Sequence, residues 1–309
     1  MAAIRTENLT KVFGKPAAGG VRAVDALSLE VKEGRAFAFL GPNGAGKTTT
    51  LYMLLGLRRP TSGRGEVLGE PLGSVRARAR IGFLPEGMSP KGYYTTEEML
   101  RYCTRLYDLS VGEAAPRIEY VLSALGLEEA RTRRTSQLSK GMVQRLGLAQ
   151  ALVADPDLLI LDEPTANLDP VGRRDVMRLL SGLKAAGKTI LISSHVLSEV
   201  ESICDDVAII SRGRLLRQGP FADLAGQAGG FEITASGLQP PVSEQIAQTG
   251  CRVETRGNGS TIIWAADEQA QQRVLALLLQ AGCRVLSTAK RAATLEELFF
   301  ETLGEEPGA

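Results

Sequence analysis

Histidine is all but missing from this chain of 309 residues: there is one, His195, closing the β-branched run TILISSH at 189–195. Either composition left it there, or a site needs a neutral group that can donate from one nitrogen and accept at the other. Long apolar runs are missing too. The longest in the C-terminal third is Val274–Leu279, far short of the roughly 18 residues that span a bilayer, so the chain is not expected to cross a membrane. Cysteine is scarce, and Cys103, Cys204, Cys251 and Cys283 are scattered without a CxxC pair. They read as small buried hydrophobes in a reducing cytoplasm. No charge of one sign dominates: 36 Lys and Arg stand against 35 Asp and Glu, net +1, which leaves no global field to draw the protein to nucleic acid or anionic lipid. The opening MAAIRTENLT lacks the charged-then-apolar order of a secretion signal.

What is present builds cores, since 44 % of the residues are hydrophobic, and the length suggests about two domains. The runs Ala36–Leu40, Leu158–Leu161, Thr189–Ser193 and Val207–Ile210 are short, apolar and separated by helical patterns, which predicts buried parallel strands. A mostly helical interval from about Glu97 to Ala154, punctuated by Pro116 and Gly126, is too long for one crossover. It predicts a helical subdomain, about 88–154, inserted in an α/β core. GPFADLAGQAGG at 219–230 is rich in glycine and small residues and reads as a linker over 221–230. Beyond it FEITASG, VSEQIAQTG, CRVETRG, STIIWAAD, EQAQQRVLALLLQAG and CRVLSTAK read β, α, β, β, α, β, the order of a ferredoxin-like unit. The GCRV echo at 250–253 and 282–285 supports two half-repeats. TLEELFFETLG closes the chain as a docking helix with Leu295, Leu298, Phe299 and Leu303 along one face. The expected organisation is an α/β core over 1–220, which the run GPNGAGKTT at 41–49 would make a phosphate-loop NTPase, and a small C-terminal α+β domain over 231–309.

GPNGAGKTT at 41–49 fits G-x-x-x-x-G-K-[ST] directly after a strand and before the helical TTTLYMLLGL, the context that motif requires. Gly41, Pro42, Asn43, Gly44, Ala45, Gly46, Lys47, Thr48 and Thr49 then cradle phosphates with main-chain amides and a helix N-terminus, which glycines permit because no Cβ blocks the approach. Lys47 adds a point charge at the β and γ phosphates, and Thr48 offers its hydroxyl to Mg²⁺. LLILDEP at 158–164 ends an apolar strand with two acids: Asp162 to support Mg²⁺ and Glu163 to polarise the attacking water. His195 follows the next strand, and ligands in parallel sheets lie beyond the strands' carboxyl ends, which places it near the γ phosphate.

With the phosphate loop, LLILDEP and ISSH in this order, residues 3–220 closely resemble the ATP-binding subunit of ABC transporters. LSKGM at 138–142 stands where that family carries LSGGQ. Ser139 and Gly141 match it, while Lys140 and Met142 depart. The resemblance implies that Ser139, Lys140, Gly141 and Met142 cap the ATP held by the phosphate loop of a second ATP-binding subunit, a homodimer partner or close paralogue. It further implies that Phe13 in LTKVFG stacks on adenine. Glu86 in IGFLPEG, where glutamine is usual, would couple Mg²⁺ to the membrane subunit, and Asp169 after Asn167 and Leu168 would belong to the loop that crosses the dimer. Glu86 and LSKGM together look like the exporter branch, whose ATPase is a separate chain beside a polytopic membrane protein, which would hold it at the cytoplasmic face of the membrane. Two other occupations of the same machinery stay open. One is a regulator of a membrane protein without transport. The other is a soluble ATPase acting on ribosome or DNA, against which stand a single phosphate loop, no sustained heptads and no basic stripe; no nucleic acid is expected as a partner. The C-terminal unit shows no metal-spaced ligands and no nucleophile with a base, and its Trp264 reads as core or a small interface.

Overall fold

The computed structural model describes residues 1–14, 20–90, 92–256 and 259–304. Gly257 of the expected CRVETRG piece and residues 305–309 of the expected C-terminal domain lie outside the described residues. The chain divides into two compact units, Met1–Gly219 and Pro220–Ala309.

In the first unit all four expected strands lie in one six-stranded sheet. Its spatial order is Arg214–Pro220, Asp206–Ser211, Ala36–Leu40, Thr189–Ser193, Leu158–Asp162 and Ile81–Leu84. The last five pair in parallel, and every residue of Ala36–Leu40, Leu158–Asp162 and Thr189–Ser193 is buried. Burial on both faces is why these strands read as unbroken apolar runs. A second, antiparallel sheet is built from Ala2–Phe13, Val21–Leu27, Glu30–Lys32, Ser62–Val67 and Glu70–Pro71. One cluster joins the two sheets: Ile4, Leu9, Val24, Val31 and Val67 from the antiparallel sheet pack with Phe37, Phe39, Ile160 and Leu191 from the other, and with Leu51, Met53 and Leu54 of the helix Lys47–Leu54. That helix is packed on several sides and needs no polar face.

The expected helical subdomain contains the helices Thr96–Leu106, Val111–Ala124 and Lys140–Leu152. Reciprocal capping boxes, Thr95 with Glu98 and Ser110 with Glu113, start the first two by satisfying orphan amides at each end. Pro116 sits inside the second helix and does not end it. Gly126, with φ 61°, follows its close.

The second unit opens with a correction. Residues Phe221–Ala228 form a helix, where a linker was expected. Ala225 of this helix is buried and its carbonyl accepts from Ala293 N at 2.9 Å. A Cβ on Gly229 would lie 2.1 Å from the Arg291 carbonyl oxygen, and one on Gly230 2.2 Å from that of Ala265. The closing helix Leu295–Leu303 packs on Phe221–Ala228 and buries Leu295 and Leu298. Between them the order is β, α, β, β, α, β, with an antiparallel sheet arranged Arg252–Thr255, Ser260–Ala265, Phe231–Ser236, Arg284–Lys290. Ile233, Ala235, Ile263 and Ala265 of the sheet meet Ile246, Val274 and Leu278 of the two helices. Cys251 and Cys283, the echoed positions, are both buried in that core. Trp264 is half-buried, with the Arg252 guanidinium 4.9 Å from its ring. Among the described residues no helix is long and apolar enough to cross a membrane.

Candidate active site

The parallel sheet delivers four chain segments to one end. Ala36–Leu40 runs into the loop Gly41–Gly46, Leu158–Asp162 into Glu163, Thr189–Ser193 into His195 and Ile81–Leu84 into Glu86. They enclose a cavity of ≈ 660 Å³ lined by Ala23, the loop from Pro42 to Thr49, Glu86, Asp162, Glu163 and His195. Residues far apart in sequence thus meet where ligands of parallel sheets sit.

The loop is held by its own geometry. Gly46 caps the helix Lys47–Leu54 at φ 104°, a conformation side chains avoid, and a Cβ there would lie 2.4 Å from the Ala23 carbonyl oxygen. Gly213 N donates to Ala45 O at 2.9 Å, fastening the loop to the turn after Asp206–Ser211. The Lys47 ammonium folds onto the loop, donating to Gly41 O at 2.5 Å and Pro42 O at 3.3 Å. Burial pushes Lys47 below its usual pKa, and Glu163, Asp162 and Glu86 act the other way. A cation, a helix N-terminus and main-chain amides on one wall suit an anion with several oxygens, a phosphate chain above all.

The opposite wall is acidic. Asp162, 1 % exposed, has both oxygens engaged: Thr48 Oγ1 donates to Oδ2 at 3.0 Å and Ser193 Oγ donates to Oδ1. Thr48 and Asp162 are oxygen donors of the kind Mg²⁺ takes, and Mg²⁺ is commonly held by one or two protein groups plus water and phosphate oxygens. Among the described residues no group of three or more His, Cys, Asp or Glu side chains could hold a metal. Thr48 and Asp162 fit the one or two protein groups that Mg²⁺ takes beside phosphate oxygens and water.

Glu163, 8 % exposed, sits at φ 54°, a conformation that costs a non-glycine residue on the order of 1 kcal/mol or more. Its N–H donates to Ser193 O at 3.0 Å, and Gln144 Nε2 donates to its carbonyl at 2.9 Å and to Pro164 O at 3.1 Å. His195 Nδ1 lies 2.8 Å from Glu163 Oε2. An ionised carboxylate only accepts, so this contact is a hydrogen bond in the tautomer whose proton is on Nδ1.

Several expected residues lie off this cavity. Phe13 does not line it; the Arg58 guanidinium and Lys11 ammonium stand 5.2 and 5.4 Å from its ring centroid. Ser139, Lys140, Gly141 and Met142 begin the helix Lys140–Leu152, where Ser139 Oγ accepts from Met142 N at 3.2 Å. Ser139 and Lys140 are exposed. A Cβ on Gly141 would lie 3.3 Å from the Asn167 carbonyl oxygen, so this segment adjoins the loop leading to Asp169, which caps Pro170–Ala185 through Gly172 N at 3.0 Å. Lys140 lines a different cavity, ≈ 470 Å³, with Gly87–Pro90, Gln144 and Asn167. Sequence reasoning missed Ser193, Gln144 and Gly213. The serine was in reach as part of ISSH, one strand over from Asp162. Gln144 carries no signal beyond falling in a helix that starts at Ser139.

Comparison with known proteins places these features in context. The ABC transporter family profile matches residues 24–166. An uncharacterised ABC transporter ATP-binding protein of Synechocystis sp. is 37 % identical, over 92 % of this chain and 79 % of its own length. The Nod factor export ATP-binding protein I of Cupriavidus metallidurans is 37 % identical, over 99 % of this chain and 98 % of its own. Among solved structures, an ATP-binding subunit of an ABC transporter superposes with TM-score 0.67 at 30 % identity, covering 73 % of this chain and 92 % of that one. A dimeric ATP-binding cassette in a post-hydrolysis state, bound to ADP and Pi, superposes with TM-score 0.65 at 25 % identity, covering 70 % and 98 %.

Proposed function

The chain belongs to the ABC transporter family as an ATP-binding subunit and ATPase, and from that premise we propose that it powers export of a small molecule by closing head to tail on a second ATP-binding subunit around two ATP molecules. The observation that carries this reading is a division of labour within one chain. Lys47, Thr48, Asp162, Glu163 and His195 share a cavity, while Ser139 and Gly141 stand on a helix end outside it. Contacts from that helix end to a partner's γ phosphate would exist only in the closed pair. They would give ATP the differential affinity that any ligand-driven shift requires.

Within the cavity, the amides of Gly44 to Thr48 and the Lys47 ammonium take the β and γ phosphates. Thr48 and Asp162 would hold Mg²⁺, which would supply charge neutralisation at the phosphates. Glu163 takes a proton from the attacking water, and His195 Nδ1 fixes its carboxylate. Glu86, exposed on the cavity rim, is assigned to reporting occupancy to the membrane subunit. Phe13 is assigned to adenine stacking; with Arg58 and Lys11 close to its ring, the base shares or displaces these cations. The translocation path is assigned to a polytopic membrane partner, which holds this subunit at the cytoplasmic face. Export of a drug, antibiotic, lipid or other small molecule is favoured by the relatives named for Nod factor export.

The test is turnover in purified protein. Glu163→Gln should bind ATP and hydrolyse it at least ~100-fold more slowly, the usual scale of general-base contributions, and His195→Ala should cut hydrolysis while leaving the fold intact. Near-normal turnover in Glu163→Gln refutes the base assignment, and normal turnover in His195→Ala removes the histidine from the mechanism.

A further inference from the structure

Gln144 is a buried amide on a helix otherwise occupied with packing. It is 4 % exposed, and its Nε2 donates to two successive main-chain carbonyls, Glu163 at 2.9 Å and Pro164 at 3.1 Å. Neither bond belongs to a helix or sheet ladder. They fall on a peptide segment of the site whose backbone is strained, since Glu163 is held at φ 54°. Strained backbone persists only where the surroundings over-determine it, and here the restraints come from two directions. The strand Thr189–Ser193 fixes the amide side of Glu163 through Ser193 O, and the helix Lys140–Leu152 fixes the carbonyl side through Gln144. With both in place the side chain meets His195 Nδ1 at 2.8 Å.

We propose that Gln144 is a positioning residue for ATP hydrolysis: it holds the Glu163–Pro164 peptide so that the Glu163 carboxylate is aimed at the attacking water. The proposal rests on the reading of Glu163 as general base and extends it to a residue outside the catalytic cavity. Gln144 does not line that cavity, and it acts only through Glu163. It also lies about 7 Å along the helix axis from Ser139, at roughly 1.5 Å per residue. The cap lent to a partner subunit and the clamp on this subunit's own base are therefore parts of one rigid helix. A displacement of that helix on capping the partner's ATP reaches Glu163 directly.

The experiment is a double-mutant cycle on the full-length chain, with Gln144→Met and Gln144→Asn each made alone and together with Glu163→Gln. Gln144→Met keeps the volume and removes the donor, leaving two buried carbonyls without it; Gln144→Asn keeps the amide and shortens its reach. Steady-state ATPase and binding of a fluorescent ATP analogue are measured for all. Expected is a ~10- to 100-fold fall in kcat for Gln144→Met, the scale set by misplacing a catalytic group by about 1 Å, with KM and analogue binding within ~2-fold of the parent. A smaller fall is expected for Gln144→Asn. In the Glu163→Gln background neither substitution should lower the residual rate further, because the group they position is already gone. Parental kcat in Gln144→Met, losses that multiply in the double variants, or loss of analogue binding in both Gln144 variants would each overturn the proposal, the last by showing a merely structural amide. A fully active Gln144→Met beside an inactive Glu163→Gln removes the positioning role alone, whereas near-parental turnover in Glu163→Gln removes the base assignment and this role with it.

Discussion

Two glycines of the phosphate loop, two positions apart, face opposite surroundings and allow a matched experiment. Gly44 has φ 78° and open space where a Cβ would go. Gly44→Ala therefore incurs only the dihedral cost of a left-handed L-residue, about 1–2 kcal/mol. Gly46 has φ 104°, and its Cβ would lie 2.4 Å from the Ala23 carbonyl oxygen and 3.4 Å from Val24 Cγ2. A carbon and a carbonyl oxygen rest no closer than about 3.3 Å, so the backbone at Ala23 or the loop must yield by nearly 1 Å. Overpacking of that kind adds about 1–3 kcal/mol, giving a total near 2–5 kcal/mol for Gly46→Ala. Ala23 also lines the cavity, so the displacement falls on the phosphate wall itself. Urea unfolding followed by circular dichroism should place Gly46→Ala below Gly44→Ala by about 1–3 kcal/mol. A fluorescent ATP analogue should bind Gly46→Ala at least ~10-fold more weakly than Gly44→Ala. Equal unfolding midpoints and equal affinities for the two variants would refute the account of how the loop is held.

Two further outcomes concern the hydroxyl beneath Asp162 and the four cysteines. Ser193→Ala withdraws the donor from Asp162 Oδ1 in a residue 1 % exposed; unfolding measured at neutral pH should show a loss of about 1–3 kcal/mol, and an unchanged midpoint would mean water replaces the hydroxyl. Burial pushes the Cys103 thiol up to about 11 and the Cys204 thiol higher still, and Cys251 and Cys283 are buried. An aromatic disulfide reagent at pH 7 should consequently release less than one thiol equivalent from the native chain and all four after denaturation, whereas fast native labelling would contradict the burial.

The parts of the molecule legible in the sequence are those where one physical demand dominates. Parallel strands buried on both faces have to be apolar throughout, so Ala36–Leu40, Leu158–Asp162 and Thr189–Ser193 stand out. The phosphate loop was legible because Gly44 and Gly46 take positive φ and a Cβ on Gly41 or Gly46 would crowd a main-chain oxygen. The antiparallel sheet was not, because its first strand pairs through repeated register shifts that break the period-two pattern. Ile81–Leu84 was hidden by its four-residue length and by Gly82, whose missing side chain admits the Ala151 carbonyl. The supposed linker misled because glycine and alanine signal flexibility and tight packing alike; Gly229 and Gly230 meet main-chain oxygens. Within the site, Asp162, Glu163 and His195 were found from strand ends, but their connections were not. Ser193 under Asp162, Gln144 behind Glu163 and His195 Nδ1 against the Glu163 carboxylate are facts of register and helix rotation, and spacing alone does not encode them.

The central claim is that a phosphate loop in one subunit and the Ser139–Gly141 helix end of another enclose one nucleotide. The most direct test is the structure of the full-length Glu163→Gln protein with ATP and Mg²⁺. The account predicts a two-fold pair in which Ser139 Oγ and Gly141 N of each chain lie within hydrogen-bond distance of the γ phosphate held by the other chain's Lys47. Nucleotide seated on Lys47 in both chains of an assembled pair, with residues 138–142 turned to solvent, would contradict it.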